Sequence, residues 1–342
     1  MRLRLVLFGA MWVIVSVPSV AQHVFHVPIQ VGQDIYTPVS LPQQGDSLHL
    51  LITGAPQDSS RKGVMIFIQG SLPRPLVIRS ERGIYPVYPF SIPREYHVVI
   101  LGKPGIPWEL DDKKLKSDLT FRPDSGFPPA TYQVHNHMEY YVEAYQAVID
   151  FLIRQPWVDS RLLVVAGHSQ GARVAVRLAK RDSRISHVGF LSGNPQGRIE
   201  ELIRRERIAA SHGNQSAAVA QQHIEEIYQQ WSLMQQSPTS QATWRGDTYH
   251  AWTSFSEPVL EDLISLDQPV WVGYGTADVT AAHCDVLPLR MQISQAWKLA
   301  PYPGLDHNFF ELNENGLPNY ERGHWHTVIT DFLAWVEEIS GP

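Results

Sequence analysis

The residues with the clearest chemical potential form one short run, Gly167-His168-Ser169-Gln170-Gly171. It follows an apolar stretch, Leu162 to Ala166, and opens a helical periodicity beginning near Ala172. Glycine and serine are common, so Gly-x-Ser-x-Gly alone says little; its place at a strand-to-helix junction says much more. At such an elbow the serine is forced into a strained backbone conformation that lifts its hydroxyl above the sheet edge, and the flanking glycines remove side chains that would collide with neighbours. The N-terminus of the helix behind it offers N–H groups and a favourable dipole to developing negative charge. Other chemically able residues are less well placed. His135 with His137, and His324 with His326, are pairs two residues apart, a spacing that suits a metal only on a strand or with further ligands, and they read as surface residues. The single cysteine, Cys284, has no elbow around it and reads as a small packed side chain. Asp111-Asp112-Lys113-Lys114 reads as a solvated loop.

At the elbow the chain resembles the α/β-hydrolase superfamily, and the resemblance extends over most of the sequence. It implies a catalytic order of serine, acid, histidine. Gly275-Thr276-Ala277-Asp278 follows the apolar run Val270 to Tyr274, and Gly304-Leu305-Asp306-His307 follows Trp297 to Ala300, so both candidates fall in loops after strands. The resemblance implies Ser169 as nucleophile, His307 as the base that takes and returns its proton, and Asp278 as the carboxylate that orients the imidazole. Asp306 is a rival acid, although a residue beside the histidine usually points away from its ring; Glu257, Glu261 and Asp262 are weaker rivals. The family's oxyanion hole would use the backbone N–H of Gln170 and one from the loop Gln69-Gly70-Ser71-Leu72, with Ser71 as second donor and Gly70 as the alternative. That loop carries glutamine where the family has histidine. The resemblance implies no metal or organic cofactor. Dehalogenases and epoxide hydrolases of this fold place a carboxylate where this chain has Ser169, which disfavours them. The elbow region is also similar to exported prolyl-peptidase-like and dienelactone-hydrolase-like members.

The elements that must hold these residues are visible as short apolar runs bounded by Gly, Pro or Asp: Val64 to Gln69, Val98 to Leu101, Leu162 to Ala166, Val188 to Leu191, Val270 to Tyr274 and Trp297 to Ala300. Apolar on both faces, they read as buried strands of a mainly parallel sheet. Helical faces alternate with them: Tyr141, Ala144, Val148 and Leu152; Gly171, Val174, Ala175 and Leu178; Trp325, Val328, Ile329, Phe332 and Val336. The expected class is α/β, a mainly parallel central sheet with helices on both faces. Ile29 to Ile52 reads instead as antiparallel edge strands. From Pro195 to Leu266 the alternation stops. Helices are expected over Arg198 to Ala210 and Ala217 to Met234, the second with Ala220, Ile224, Ile227, Tyr228 and Trp231 along one side. This stretch, about 195–266, is expected to be a helical cap inserted between two strands; its Trp231, Trp244 and Trp252 could line a pocket or form the cap's own core.

The 342 residues are 44% hydrophobic and 18% charged, with a net charge of −6, the profile of a folded chain without the basic face a nucleic-acid binder needs. The chain opens with Arg2 and Arg4, an apolar run from Leu5 to Val17, and Ser19 and Ala21 two apart before Gln22. This is the layout of a secretory signal peptide over 1–21, with cleavage after Ala21 and a mature domain over 22–342; an uncleaved anchor is the competing reading, but the run is short for a bilayer span. The expectation is a secreted or periplasmic serine hydrolase without stable membrane insertion, acting on a small-molecule or peptide acyl substrate. Ester hydrolysis comes first, because an ester needs less help with its leaving group than an amide. A serine peptidase is second, and a non-catalytic ligand-binding member third.

Overall fold

A computed structural model of the chain describes residues 23–43, 46–54, 61–91, 93–123, 126–291 and 296–341. The expected signal peptide lies outside the described residues. The architecture is α/β around one large twisted sheet. Its strands are β1 (Val24–Phe25), β2 (Ile29–Val31), β3 (Asp34–Gln43), β4 (Asp46–Thr53), β5 (Lys62–Ile68), β6 (Tyr96–Leu101), β7 (Val158–His168), β8 (His187–Leu191), β9 (Val270–Gly275) and β10 (Trp297–Tyr302). The spatial order is β1-β3-β4-β6-β5-β7-β8-β9-β10, with β2 also paired to β3. From β6 to β10 every pairing is parallel, while β1 to β4 form the antiparallel edge expected between Ile29 and Ile52.

Alternation along the inner strands divides the core. Val64, Ile66, Leu163 and Val165 face helices α2 (Met138–Leu152) and α3 (Gln170–Arg181), whereas Met65, Phe67, Val164 and Ala166 face α9 (Trp325–Ser340). Each inner strand is apolar on both sides because each side meets a helix, which is the pattern read from the sequence. Trp297 to Ala300 departs from that reading. It belongs to β10, the edge strand, and is only half-buried, because no further strand covers it. Small antiparallel pieces were also not foreseen: Val77–Ser80 pairs with Gly83–Pro86, and Phe310–Leu312 with Pro318–Gly323. Their strands run only a few residues, too short for a period to stand out.

Between β8 and β9 lie α4 (Arg198–Ser211), α5 (Ala217–Gln236), a short hairpin pairing Thr243–Trp244 with Asp247–Thr248, α6 (Tyr249–Ser256) and α7 (Leu260–Ile264). Ser216 caps α5 by accepting the N–H of Val219. Ile199, Ile227, Met234 and Trp252 form a core of this segment, with Trp231 and Trp244 packed against it. Tyr228, expected on the buried side of α5, is exposed; the covered line runs through Ala220, Ile224, Ile227 and Met234. Val259, Leu260, Leu263 and Leu266 belong to the main core, so the end of the segment is built into the α/β domain. Among the described residues no helix is long and apolar enough to cross a membrane.

The chain passes from β5 outward to β6 and then returns across β5 to β7, after which strands are added on the other side. The direction of winding therefore reverses between β5 and β7. At such a reversal the loops leaving the two strands part and leave a crevice at their carboxyl ends. The loop after β5 carries Gly70 and Ser71, and the turn after β7 carries Ser169.

Candidate active site

Ser169 stands between β7 and α3 with φ 57° and ψ −119°, a conformation that costs a non-glycine residue about 1 to 3 kcal/mol. The neighbours hold it there. Its N–H donates to the Leu191 carbonyl at 2.9 Å, and its carbonyl accepts from Ala172 at 3.1 Å. The two glycines are required by close approach: a Cβ on Gly167 would lie 2.1 Å from the Gly171 carbonyl oxygen, and one on Gly171 would lie 2.1 Å from that of Ile68. The elbow is thus wedged against the end of β5.

The structure brings Ser169, His307 and Asp278 together. His307 Nε2 lies 2.9 Å from Ser169 Oγ, and His307 Nδ1 lies 2.8 Å from Asp278 Oδ2. A carboxylate can only accept, so Nδ1 carries the proton and Nε2 is left to accept from the serine hydroxyl. The Asp278 side chain is fully buried, and it also accepts from Thr280 Oγ1 at 2.7 Å and Thr280 N–H at 3.1 Å. Burial alone would raise this carboxyl, but the bonds from His307 and Thr280 outweigh it and hold it below its ordinary value. His307 is the mirror case. Burial would lower its pKa, yet the hydrogen bond and charge of Asp278 raise it above the ordinary imidazole value. The rival Asp306 is occupied in its own loop, where Oδ1 accepts the N–H groups of Asn308 and Phe310 at 2.9 and 2.8 Å. Glu257 and Asp262 pair with Arg177, and Glu261 with Arg290, so none of the three turns to His307.

Two features of the site were not read from the sequence. His168, the variable residue inside the motif, is buried and donates its Nε2 proton to the His307 carbonyl oxygen at 2.9 Å. Burial, with the nearby His307 ring, pushes its pKa down to about 3, so it is a neutral strut between the elbow and the histidine loop. Tyr132, in α1 (Ala130–His135), donates its hydroxyl to the Ser71 carbonyl at 2.6 Å and fixes the loop after β5. Gln69 anchors the same loop through Nε2 to the Leu101 carbonyl at 2.9 Å. Gly70 lies in ordinary contact with Ser169: a Cβ there would lie 3.5 Å from that of Ser169. Gln170 opens α3, where its backbone N–H has no preceding turn to bond.

Gln69, Gly70, Ser71, His168, Ser169, Gln170 and His307 line a cavity of about 930 Å³ that is closed on one side by α4 and Trp252. Trp252 answers both readings left open for it, since it lines the cavity and also packs in the cap core; Trp231 and Trp244 are in that core alone. Arg74, Arg173, Arg198 and Arg205 also line the cavity, and periodicity gave no sign of them. Cys284 is buried beneath the site and its thiol pKa is raised, above all by burial. His137 caps α2 and stacks on His250 at 4.1 Å, away from the surface role expected of it, while His324 pairs with Glu311. Asp111 caps a single turn over Asp112–Lys114. Among the described residues, no three His, Cys, Asp or Glu side chains converge as metal ligands would.

Neither a known protein-family model nor a curated protein matches the sequence. Solved structures do match. The acetyl xylan esterase from Paenibacillus sp. R4 superposes with a TM-score of 0.51 at 14% identity, over 92% of this chain and 87% of that one. Acetyl xylan esterase 1 from Thermoanaerobacterium sp. JW/SL YS485 gives a TM-score of 0.47 at 12% identity, over 84% and 82%. The chain has the α/β-hydrolase fold.

Proposed function

We propose that this chain is a serine hydrolase that cleaves carboxylic esters through an acyl-serine intermediate. The observation that carries the reading is the continuous relay from Asp278 through His307 to Ser169, with bonds of 2.8 and 2.9 Å, opening on the cavity. Ser169 Oγ attacks the ester carbonyl carbon as its proton passes to His307 Nε2. The carbonyl oxygen becomes an oxyanion held by the N–H of Gln170 and that of Ser71, with Gly70 as the alternative; one such donor contributes about 3 to 4 kcal/mol in the transition state. Collapse breaks the bond to the alcohol oxygen, which takes the proton from His307. Water then enters, His307 removes its proton, and the acid leaves as Ser169 regains its hydrogen.

The strained Ser169 backbone and the pinned loop after β5 support this reading because they fix the reacting groups before substrate arrives. Residues 1–21 are proposed as the export signal, with Gln22 as the first residue of the secreted or periplasmic protein; N-terminal sequencing of the exported product tests this. The catalytic reading is tested with p-nitrophenyl esters of increasing acyl length, aminoacyl and prolyl p-nitroanilides, and a fluorophosphonate label, with Ser169→Ala as the blank. Ester turnover and labelling that vanish in the blank are expected. Turnover confined to the anilides would make the protein a peptidase, and folded wild type inert to substrates and label would leave a binding protein.

A further inference from the structure

The wall of the cavity beside the nucleophile holds more polar hydrogen-bonding capacity than the protein itself uses. Gln170 Oε1, Arg173 Nε, Ser192 Oγ and Arg198 Nη1 are all buried without a hydrogen-bond partner, and all four residues line the cavity that contains Ser169. Gln170, Arg173 and Ser192 are 6%, 2% and 1% exposed. Leaving a buried polar atom unpaired is costly, and several gathered in one wall mark a place where a ligand supplies missing partners.

The charges there do not cancel. Arg198 gives Nη2 to Asp247 at 2.7 Å and lies with its guanidinium carbon 4.0 Å above the Trp252 ring. Arg205 pairs with Glu201, and Arg74 has the charge of Asp118 beside it. Arg173 bonds only to the backbone carbonyls of Asn194 and Glu257, with no ion pair. Burial draws its pKa down to about 9, which still leaves it charged at neutral pH. The Glu201 and Glu257 carboxylates act on Arg173 through their charge without bonding to it, and across the wall Arg74, Arg173, Arg198 and Arg205 face Asp118, Glu201 and the Asp247 partner of Arg198, which leaves about one positive charge uncompensated.

We propose that Arg173 and Arg198, with Ser192, form a subsite for a carboxylate carried by the substrate, so that the preferred esters bear a free acid group on the acyl or the alcohol side. A singly charged carboxylate matches the single uncompensated cation, and charge-assisted hydrogen bonds from the arginines would use donors that the protein leaves unpaired. This inference rests on the serine-hydrolase reading. It assigns roles to residues other than Asp278, His307 and Ser169.

The test compares matched esters that differ only in charge, each rate normalised to its spontaneous hydrolysis: the p-nitrophenyl monoester of adipic acid against p-nitrophenyl hexanoate, and the butyrate of 4-hydroxybenzoate against that of its methyl ester. In at least one pair the anionic ester is expected to have a kcat/KM about tenfold higher or more, and the preference should shrink as salt is added. Arg198→Gln and Asp247→Asn break the same ion pair but change the wall's charge in opposite senses. The preference should collapse to within about twofold in Arg198→Gln and persist or grow in Asp247→Asn. Equal loss in both variants would reduce the pair to a structural role and overturn the subsite. Ser169-dependent hydrolysis of both members of each pair without preference for the anion would also overturn it, while leaving the hydrolase reading intact. No hydrolysis of any of the esters would remove both. Should Arg198→Gln fail to fold, the wild-type pairs and Asp247→Asn still decide the matter.

Discussion

Replacing Asp278 with asparagine separates the role of this carboxylate from that of Asp306 and can be worked out atom by atom. Asp278 Oδ1 accepts the Thr280 backbone N–H at 3.1 Å, while Oδ2 accepts from Thr280 Oγ1 and from His307 Nδ1 at 2.7 and 2.8 Å. A backbone N–H can only donate, so it holds the asparagine oxygen at the Oδ1 position and turns the amide NH2 toward His307. The imidazole must then accept at Nδ1 and carry its proton on Nε2, where it can no longer take one from Ser169. The Thr280 hydroxyl can rotate to accept instead of donate, so folding should survive. Holding a triad histidine in the wrong tautomer lowers kcat by about 10⁴-fold, or roughly 5.5 kcal/mol of transition-state stabilisation. In Asp306→Asn, by contrast, the side-chain oxygen can still accept from Asn308 and Phe310, and turnover should fall only a few-fold. Steady-state p-nitrophenyl ester hydrolysis, with circular dichroism to verify folding, measures both. A loss below about tenfold in Asp278→Asn, or an equal loss in Asp306→Asn, would refute the reasoning.

Because His307 must be neutral to act as base and its pKa is raised in the folded protein, kcat/KM should fall on the acid side with a midpoint above the ordinary imidazole value of 6.5. A flat pH–rate profile down to pH 5 would contradict that. His168→Phe keeps a ring against Trp325 but deletes the donor to the His307 carbonyl, and loosening that loop should cost about 10- to 100-fold in kcat; since His168 stays neutral down to about 3, the position of the acid limb should move little. Gly275→Ala would place a Cβ 2.2 Å from the Leu305 carbonyl oxygen and 2.4 Å from that of Asp306. Neither backbone atom can move without parting the Asp278 and His307 loops, so urea unfolding should show a loss of about 2 to 3 kcal/mol alongside lost turnover.

The parts of this molecule that were legible in the sequence are those whose signal is local. Val64 to Ile68 and Leu162 to Ala166 announce buried strands because both faces meet helices, and the elbow declares itself because Gly167 and Gly171 have no room for a side chain. Loops at the carboxyl ends of parallel strands then bring residues as distant as Ser169, Asp278 and His307 within one hydrogen-bonded chain. Arg173 could not be found this way. It occupies an ordinary helical position, and only the carbonyls of Asn194 and Glu257, which are 21 and 84 residues away, make its burial possible. His168 and Tyr132 were hidden for the same reason, as each serves a backbone carbonyl far along the chain.

This division follows how the cavity is built. The sheet side supplies Ser169, Asp278 and His307 on loops after β7, β9 and β10, and glycines in close approach, Gly167 with Gly171 and then Gly275, fix the first two. The cap side supplies α4 and Trp252; Arg198–Asp247 ties α4 to the hairpin of the same segment, and the Asn136 Nδ2 bond to Asp247 Oδ1 at 3.2 Å ties that hairpin to the α/β domain. Asn136 Oδ1 in turn accepts from Gln170 Nε2 at 3.4 Å and from the Tyr141 hydroxyl at 3.3 Å. Gln170 is therefore tied through Asn136 and Asp247 to Arg198. If Arg198 binds the substrate and the Gln170 N–H holds the oxyanion, an anionic ester is expected to gain in kcat as well as in KM, whereas an anion bound remotely from this network would lower KM alone.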